Sequence, residues 1–306
     1  MITRRDFLWS SASALALARG GRGAAAVAGR VPTGAQAGGK SLLEQVRSGE
    51  RLKGVDAIDT HAHFQQISTG LIWPLSVEML LADMNRCGIG QAIVSHFGGF
   101  MATSGDQLKA AHDECAEAVA KNSRSLRAYL VFHPHLLEAS KAQMSRALEP
   151  NSPFVGFKLH GGIHQYPADG PNYRPVFEFA NEHRLHVLYH EWGGVERVGP
   201  VLEKYPHMTM SVPHIGLLPP DETMAALKAH PNLFIDTCSS TMAYHLLERY
   251  VREVGARKIL FATDATYLAV GSQIAKVALA RISEEEKRLI FGGNARRIFG
   301  SRLAPG

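Results

Sequence analysis

The sequence predicts an α/β fold, a (β/α)8 TIM barrel. Short apolar segments rich in β-branched residues alternate with longer amphipathic segments eight times within about 250 residues, which is the size and rhythm of a parallel β/α barrel. Histidine and aspartate recur just after many of the apolar segments, and the carboxyl ends of barrel strands surround one mouth. An open doubly wound sheet is the alternative, but no Gly-x-Gly-x-x-Gly motif follows the first strand.

The predicted strands are short apolar runs, and the predicted helices are the amphipathic segments between them. Strands are expected at 57–60, 91–95, 125–132, 154–159, 186–189, 208–212, 233–237 and 258–263. Helices are expected at 77–85, 106–122, 137–148, 173–183, 195–205, 221–229 and 242–254, with Asn294 as the cap of a last helix. We therefore expect one barrel domain over residues 54–303.

The first residues differ in character from the barrel and predict an export signal. Arg4 and Arg5 precede an apolar run at 7–18 that is too short to span a membrane, and 26–28 offers a small-residue cleavage site. This order resembles a twin-arginine signal peptide, which we place at residues 1–28, before a linker and short helix at 29–53. It implies the twin-arginine export machinery as a partner and a periplasmic or otherwise exported location. A disordered basic N-terminus is the alternative.

Charge and composition exclude several classes of function. Removing residues 1–28 takes away four arginines and one aspartate and lowers the formal net charge from +5 to +2. No basic cluster interleaved with aromatic residues remains, so we expect no nucleic-acid partner. No later stretch reaches the length of a membrane span. Cys87, Cys115 and Cys238 are too few and too widely spaced to indicate a disulfide framework.

Candidate site residues stand at the ends of the predicted strands. His61 and His63 follow the first strand two residues apart, so on a strand they share a face and could hold one ion. Weaker candidates for lining the pocket are His96, His133 and His135. The other strand ends carry Lys158 and His160, His190, His214, Asp236 with Cys238, and Asp264.

The chain resembles the metal-dependent amidohydrolase superfamily in the runs I-D-T-H-A-H-F, G-F-K-L-H, V-L-Y-H, V-P-H-I-G, L-F-A-T-D and G-G-N-A-R-R-I-F-G. The resemblance is to its branch of amidohydrolase-2 or aminocarboxymuconate-semialdehyde-decarboxylase-like proteins, and it runs from about residue 56 to 300. It implies that His61, His63, His190 and Asp264 are metal ligands and that His214 is an acid–base residue. The strand-eight run departs from the family pattern because no proline follows Asp264.

The expected cofactor is one divalent metal ion. Imidazoles and a carboxylate suit zinc, with manganese as the alternative, and such an ion lowers the pKa of bound water to about 7. A nearby unliganded histidine, His214, can then move protons at neutral pH. Asp264 is either a ligand or the group that takes the proton of the water, and a simple helix N-cap is its structural alternative.

Lys158 and His160 lie on one face of the fourth strand, opposite Val155, Phe157 and Leu159. If those three face the helices, Lys158 and His160 face the barrel interior and contact the substrate. An ion pair for Lys158 and a packed position for His160 are the structural alternatives. In some members of the superfamily a strand-four lysine is carbamylated and bridges two metals, so a second ion is expected only if Lys158 is carbamylated.

The expected function is hydrolysis of an amide, lactone or ester in a small organic substrate by metal-activated water. The catalytic residues are then His214 and Asp264. The alternative is a non-oxidative decarboxylase of a carboxylated aromatic or muconate-like acid. A third alternative is a non-catalytic binding protein on a barrel that has lost its ligands. An oligomer is compatible with each of these.

Overall fold

The structure, a computed structural model, describes residues 39–64, 76–191, 194–240, 242–265 and 267–304. The predicted export signal at 1–28 therefore lies outside the described residues. The strands are β1 (Ile58–Phe64), β2 (Gln91–His96), β3 (Leu126–Val131), β4 (Phe154–His160), β5 (His186–His190), β6 (Thr209–Val212), β7 (Leu233–Asp236) and β8 (Ile259–Leu260).

All eight strands are parallel and pair in chain order, from β1 to β8. The last strand closes onto the first through a parallel bridge between Ala62 and Ala265 and a hydrogen bond from the amide of Thr60 to the carbonyl of Phe261. The (β/α)8 barrel that the sequence predicts is confirmed.

Helices lie between the strands, as the amphipathic segments predict. The described residues include α1 (Leu42–Arg47), α2 (Val77–Cys87), α3 (Phe97–Phe100), α4 (Gly105–Lys121), α5 (Leu137–Gln143), α6 (Gly161–His164), α7 (Arg174–Glu182), α8 (Val198–Lys204), α9 (Pro220–Ala229), α10 (Leu246–Val254), α11 (Val270–Ala278), α12 (Glu284–Arg288) and α13 (Asn294–Phe299). None of these helices is both long and apolar enough to cross a membrane.

Some predicted boundaries differ from the structure for local reasons. The helix predicted at 242–254 begins only at Leu246, because His245 has a left-handed backbone conformation with φ of 57°. The last five residues of the helix predicted at 137–148 form a 3-10 turn. The strand predicted at 258–263 is reduced to two residues, Ile259 and Leu260.

Asn294 is not the helix cap that the sequence predicts. Gly293 occupies the N-cap position of α13, and Asn294 is the first helical residue. Its buried Nδ2 donates to the carbonyls of Ala256 and Ile259, at 2.8 and 2.7 Å. Asn294 therefore ties α13 to the start of β8.

A small apolar cluster fills the lower part of the barrel and closes its amino-terminal end. Seven strands contribute one side chain each, and the carboxyl-terminal segment adds Ala295, Phe299 and Leu303. A larger, separate cluster lies between the strands and the surrounding helices. Because apolar side chains fill the lower interior, the space for a functional site lies at the carboxyl ends of the strands.

The β4 strand contains one residue more than β3 between the pairs Ala128–Phe154 and Tyr129–Gly156. This bulge turns Val155 into the barrel interior, where it packs in the lower cluster. The expectation that Val155 faces the helices is therefore wrong, although Phe157 does pack against them.

His186 lies in the same lower interior as a neutral polar residue. Its Nδ1 and Nε2 are 2.9 Å from the hydroxyls of Thr209 and Ser211 on β6, so both ring nitrogens have partners. Burial lowers the pKa of His186 to about 3. Its backbone carbonyl packs so closely on Gly156 that a Cβ there would lie 2.2 Å from the carbonyl oxygen.

Candidate metal centre and active site

His61 and His63 face the mouth because β1 contains a bulge. Between Asp59 and Ala62, β1 has one residue more than β2 does over the same span. Ile58 points into the lower interior, and strict alternation from it would turn the two histidines outward. The extra residue reverses the alternation, so His61 and His63 face the barrel interior above Ile58.

Asp264 completes a compact group with these two histidines. Nε2 of His61 lies 3.1 Å from Nε2 of His63, and Oδ1 of Asp264 lies 3.7 and 3.2 Å from the same two atoms. Two nitrogens bound to one tetrahedral ion stand about 3.3 Å apart. The donor types and their spacing therefore fit a divalent metal ion.

The backbone holds Asp264 in place without a regular strand. Its φ is 51°, a left-handed conformation that is uncommon for residues other than glycine, and its amide donates to the carbonyl of His61 at 2.8 Å. The N-cap of α11 is Ala269, so Asp264 is not a helix cap. Its side chain, 14% exposed, is directed at the histidine pair.

His190 lies beside this group rather than within it. Of the residues that the structure describes, His61, His63 and Asp264 have donor atoms within 4.8 Å of one another, and His190 is not part of that set. The ring of His190 stacks on His160, with centroids 4.1 Å apart and an angle of 11°. Its buried Nδ1 has no hydrogen-bond partner among the described residues. The predicted fourth ligand is thus a neighbour of the other three.

Lys158 reaches the ligand group, whereas His160 is held by the backbone. Lys158 is fully buried, and its Nζ lies 2.8 Å from Nε2 of His61. Nδ1 of His160 accepts a hydrogen bond from the amide of Ile163 at 3.1 Å, which caps α6. The Lys158 ammonium therefore lies close enough to contact a small molecule bound at the metal group.

The electrostatics of the group suit a cation. Burial lowers the pKa of both His61 and His63, so each keeps a lone pair for a metal at neutral pH. Burial alone would raise the pKa of Asp264, but its hydrogen bond with His63 and the nearby His214 and Lys158 charges lower it. Burial also lowers the pKa of Lys158 to about 8, against the opposing pull of Asp264.

His214 lies beside both His61 and His190. Its ring centroid is 5.3 Å from that of His61 and 4.9 Å from that of His190. Nδ1 of His214 lies 3.2 Å from the carbonyl oxygen of Cys238. The predicted acid–base residue therefore lies at the edge of the metal group.

Three aromatic rings around His63 were not identified from the sequence. The rings of Phe97, Phe100 and Tyr267, here called the aromatic wall, have centroids 6.2, 5.7 and 6.1 Å from the His63 ring. Phe97 and Tyr267 also contact each other, at 5.4 Å. Phe97 and Phe100 lie on α3, whereas His63 and Tyr267 come from distant segments of the chain, so no local pattern could group all four.

Asp236 and Ser95 were also not assigned roles from the sequence. Asp236 lies 3.0 Å from Nδ1 of His61, and the hydroxyl of Ser95 lies 2.8 Å from Nδ1 of His63. The position of Asp236 at the end of β7 was the one feature of the sequence that could have indicated a role in the site. Its contact with His61 depends on closure of the barrel, which leaves only β8 between β7 and β1.

The weaker histidine candidates have structural partners. His96 lies 2.7 Å from a carboxylate oxygen of Glu114. The ring of His133 contacts that of His164, with centroids 3.9 Å apart and an angle of 41°, and Nε2 of His135 lies 2.8 Å from the carbonyl oxygen of His164. We assign none of them to the metal group.

Solved structures share this fold at low sequence identity. A 2,6-dihydroxybenzoate decarboxylase from Rhizobium is 19% identical over 81% of this chain and 99% of its own, with a TM-score of 0.66. The 5-carboxyvanillate decarboxylase LigW from Sphingomonas paucimobilis is 17% identical over 82% of this chain and 100% of its own, with a TM-score of 0.64. A dihydroxybenzoic acid decarboxylase from Polaromonas sp. JS666, solved with manganese and the inhibitor 2-nitroresorcinol, is 17% identical over 81% and 97%, with a TM-score of 0.67.

These comparisons correct the expected activity. Hydrolysis as the main reaction is wrong, because six of the similar solved structures are decarboxylases, which favours the alternative prediction. The manganese in three of them agrees with the expected divalent ion. The choice between zinc and manganese stays a prediction.

No curated protein matches the sequence. The family comparison is positive over most of the chain: a family model described as amidohydrolase matches residues 58–301. This protein therefore belongs to the amidohydrolase family.

Proposed function

We propose that the protein is a metal-dependent, non-oxidative decarboxylase of a hydroxylated aromatic carboxylic acid. The observation that carries the proposal is the aromatic wall, which lies within 6.2 Å of His63 and thus directly beside the metal group. A flat ring packed against this wall would place its carboxylate at the neighbouring ligands. The named activities of the similar solved structures support the same substrate class.

His61, His63 and Asp264 would hold the ion, with His190 as the additional ligand at the end of β5. Manganese is the proposed ion because similar structures contain it, and zinc is the other ion to test. When bound, a divalent ion would supply Lewis acidity to substrate oxygens. A second ion would require carbamylation of Lys158.

The residues of the chain then have distinct tasks in the reaction. Lys158 is the one cation among the described strand ends, and its buried Nζ would bind the substrate carboxylate. The aromatic wall would contact the ring through contacts each worth about 0.5–1.5 kcal/mol. Together they orient the carboxyl-bearing carbon toward His214.

His214 would supply the proton that replaces the carboxylate. The proton adds to the ring carbon, the bond between that carbon and the carboxylate breaks, and its electron pair returns to the ring as carbon dioxide leaves. No oxidant is needed. During the transfer, the carbonyl of Cys238 can accept the Nδ1 hydrogen of His214, which leaves Nε2 as the donating nitrogen.

The test is carbon dioxide release by manganese-loaded protein from a panel of hydroxybenzoates labelled in the carboxylate. In deuterated water we expect deuterium at the ring position that lost the carboxylate. His214→Ala should lower the rate about 10²- to 10⁴-fold, whereas His207→Ala, at an exposed position, is the matched control. No release from any member of the panel by protein with bound metal would refute the proposal.

We also propose that residues 1–28 direct export by the twin-arginine pathway, on the basis of the Arg4-Arg5 pair and the short apolar run after it. Replacing both arginines by lysine should leave the protein in the cytoplasm. Unchanged export of that double variant would contradict the proposal.

A further inference from the structure

We propose that Asp236 is a positioning residue that orients two site residues at once, the metal ligand His61 and the proton donor His214. The inference rests on the proposed function for the roles of those two histidines. One carboxylate at the end of β7 bonds to both, through its two different oxygens.

The first contact sets the tautomer of His61. Oδ2 of Asp236 lies 3.0 Å from Nδ1 of His61, and both side chains are 1% exposed. A carboxylate accepts hydrogen bonds, so Nδ1 carries the hydrogen and Nε2 keeps its lone pair. A histidine ligand oriented by a carboxylate on its other nitrogen is a common arrangement in metal sites.

An independent contact leads to the same tautomer. Nζ of Lys158 lies 2.8 Å from Nε2 of His61, and a lysine ammonium can only donate. Nε2 must therefore be the accepting nitrogen. It is also the nitrogen that faces His63 and Asp264.

The second contact holds the backbone of His214. Oδ1 of Asp236 accepts from the His214 amide at 2.8 Å. His214 has a φ of 68°, a left-handed conformation that side-chain-bearing residues adopt only when the surroundings stabilise it. The thiol of Cys238 also donates to Oδ1, at 3.0 Å. The carboxylate thus holds His214 at the edge of the metal group.

An amide cannot replace this carboxylate. In Asp236→Asn the side chain has one acceptor oxygen, so it can serve the His61 ring or the His214 amide, not both. If the amide nitrogen faces His61, the stable tautomer of His61 becomes the one with hydrogen on Nε2, and Nε2 then has no lone pair for the metal. If it faces His214, the amide of His214 loses its acceptor.

Ser95 provides a matched control. Its hydroxyl bonds to Nδ1 of His63 at 2.8 Å, as Asp236 bonds to Nδ1 of His61. Unlike Asp236, the hydroxyl is neutral and has no contact with His214. Ser95→Ala therefore removes one ligand partner without the second contact. The comparison separates the specific effect of Asp236 from the general effect of disturbing a buried partner.

The experiment uses full-length, metal-depleted protein titrated with cobalt, with binding followed by visible absorption and by calorimetry. We expect Asp236→Asn to weaken cobalt binding about 10- to 100-fold, and Ser95→Ala to weaken it less. We also expect the His61 ring ¹⁵N shifts or the hydrogen-exchange rate of the His214 amide to change in Asp236→Asn alone. Wild-type cobalt affinity in Asp236→Asn, or changes of equal size in both variants, would overturn the proposal.

Two further readouts remain decisive if Asp236→Asn does not fold. In the wild-type protein, ¹⁵N shifts should show hydrogen on Nδ1 of His61, and the opposite tautomer would refute the inference. The donor atoms of His61, His214, Asp236 and Cys238 also lie within 4.8 Å of one another. A second bound cobalt that is lost in Cys238→Ala would instead make Asp236 a metal ligand. None of these readouts needs turnover, so failure of the decarboxylase proposal is distinguishable from failure of this one.

Discussion

Acid should destabilise the fold through His186, and the effect should disappear in His186→Gln. Burial lowers the pKa of His186 to about 3, while in the unfolded chain the histidine pKa is about 6.5. A group whose pKa is lowered on folding contributes stability that is present above the unfolded pKa. That contribution is lost as the pH falls from about 6.5 toward about 3, because the unfolded chain gains a proton that the folded chain does not.

The expected size follows from the two pKa values. Between pH 7 and pH 5 the single buried histidine should lower the free energy of unfolding by about 2 kcal/mol. Glutamine can bond to the hydroxyls of Thr209 and Ser211, the partners of His186, but it does not titrate. Any loss of packing in His186→Gln is the same at both pH values and cancels in the comparison.

The assay is urea unfolding of metal-depleted protein at pH 7 and pH 5. The fall in unfolding free energy between these pH values should be about 2 kcal/mol smaller in His186→Gln than in the wild type. His207→Gln, at an exposed position, is the matched control and should behave as the wild type. An equal pH dependence in wild type and His186→Gln would refute the reasoning.

Three further predictions concern packing, a buried amide and the metal. Gly156→Ala should destabilise the protein by about 1–3 kcal/mol, because the new Cβ would lie 2.2 Å from the carbonyl oxygen of His186. Gly271→Ala is the control, because a Cβ there meets open space. Equal melting temperatures for the two variants would contradict this prediction. Asn294→Ala should cost about 2–3 kcal/mol in denaturant unfolding, because two buried carbonyls lose their donor, and a cost below the error of the measurement would show that water replaces the amide. Manganese at about 100 times its dissociation constant should add about 2.7 kcal/mol to the stability of chelator-treated protein, and no rise in melting temperature would contradict the metal site.

Much of the architecture could be predicted from local sequence patterns. The alternation of apolar and amphipathic segments is a property of neighbouring residues, so it predicted the order of strands and helices and the barrel. The positions of His61, Lys158, His190, His214 and Asp264 at strand ends followed from the same register. The boundary of α10 was missed because the left-handed conformation of His245 overrides helix propensity.

The two β-bulges could not be predicted from the alternation of inward and outward side chains along a strand. One extra residue in β1 and one in β4 change which side chains face inward, and period-two counting assumes that no residue is extra. The sequence therefore placed Val155 on the wrong face. Pairing with the neighbouring strands decides the register, and that pairing exists only in the folded barrel.

The sequence by itself determined the barrel, its family and a set of polar residues around one mouth, because these depend on order and spacing along the chain. Tertiary structure alone decided that His61, His63 and Asp264 form a compact group, that His190 stands beside it, and that Asp236 bonds to both His61 and His214. It also decided that the aromatic wall borders the ligands. The physical reason is that these contacts join residues up to about 200 positions apart, and only closure of the barrel brings them within bonding distance.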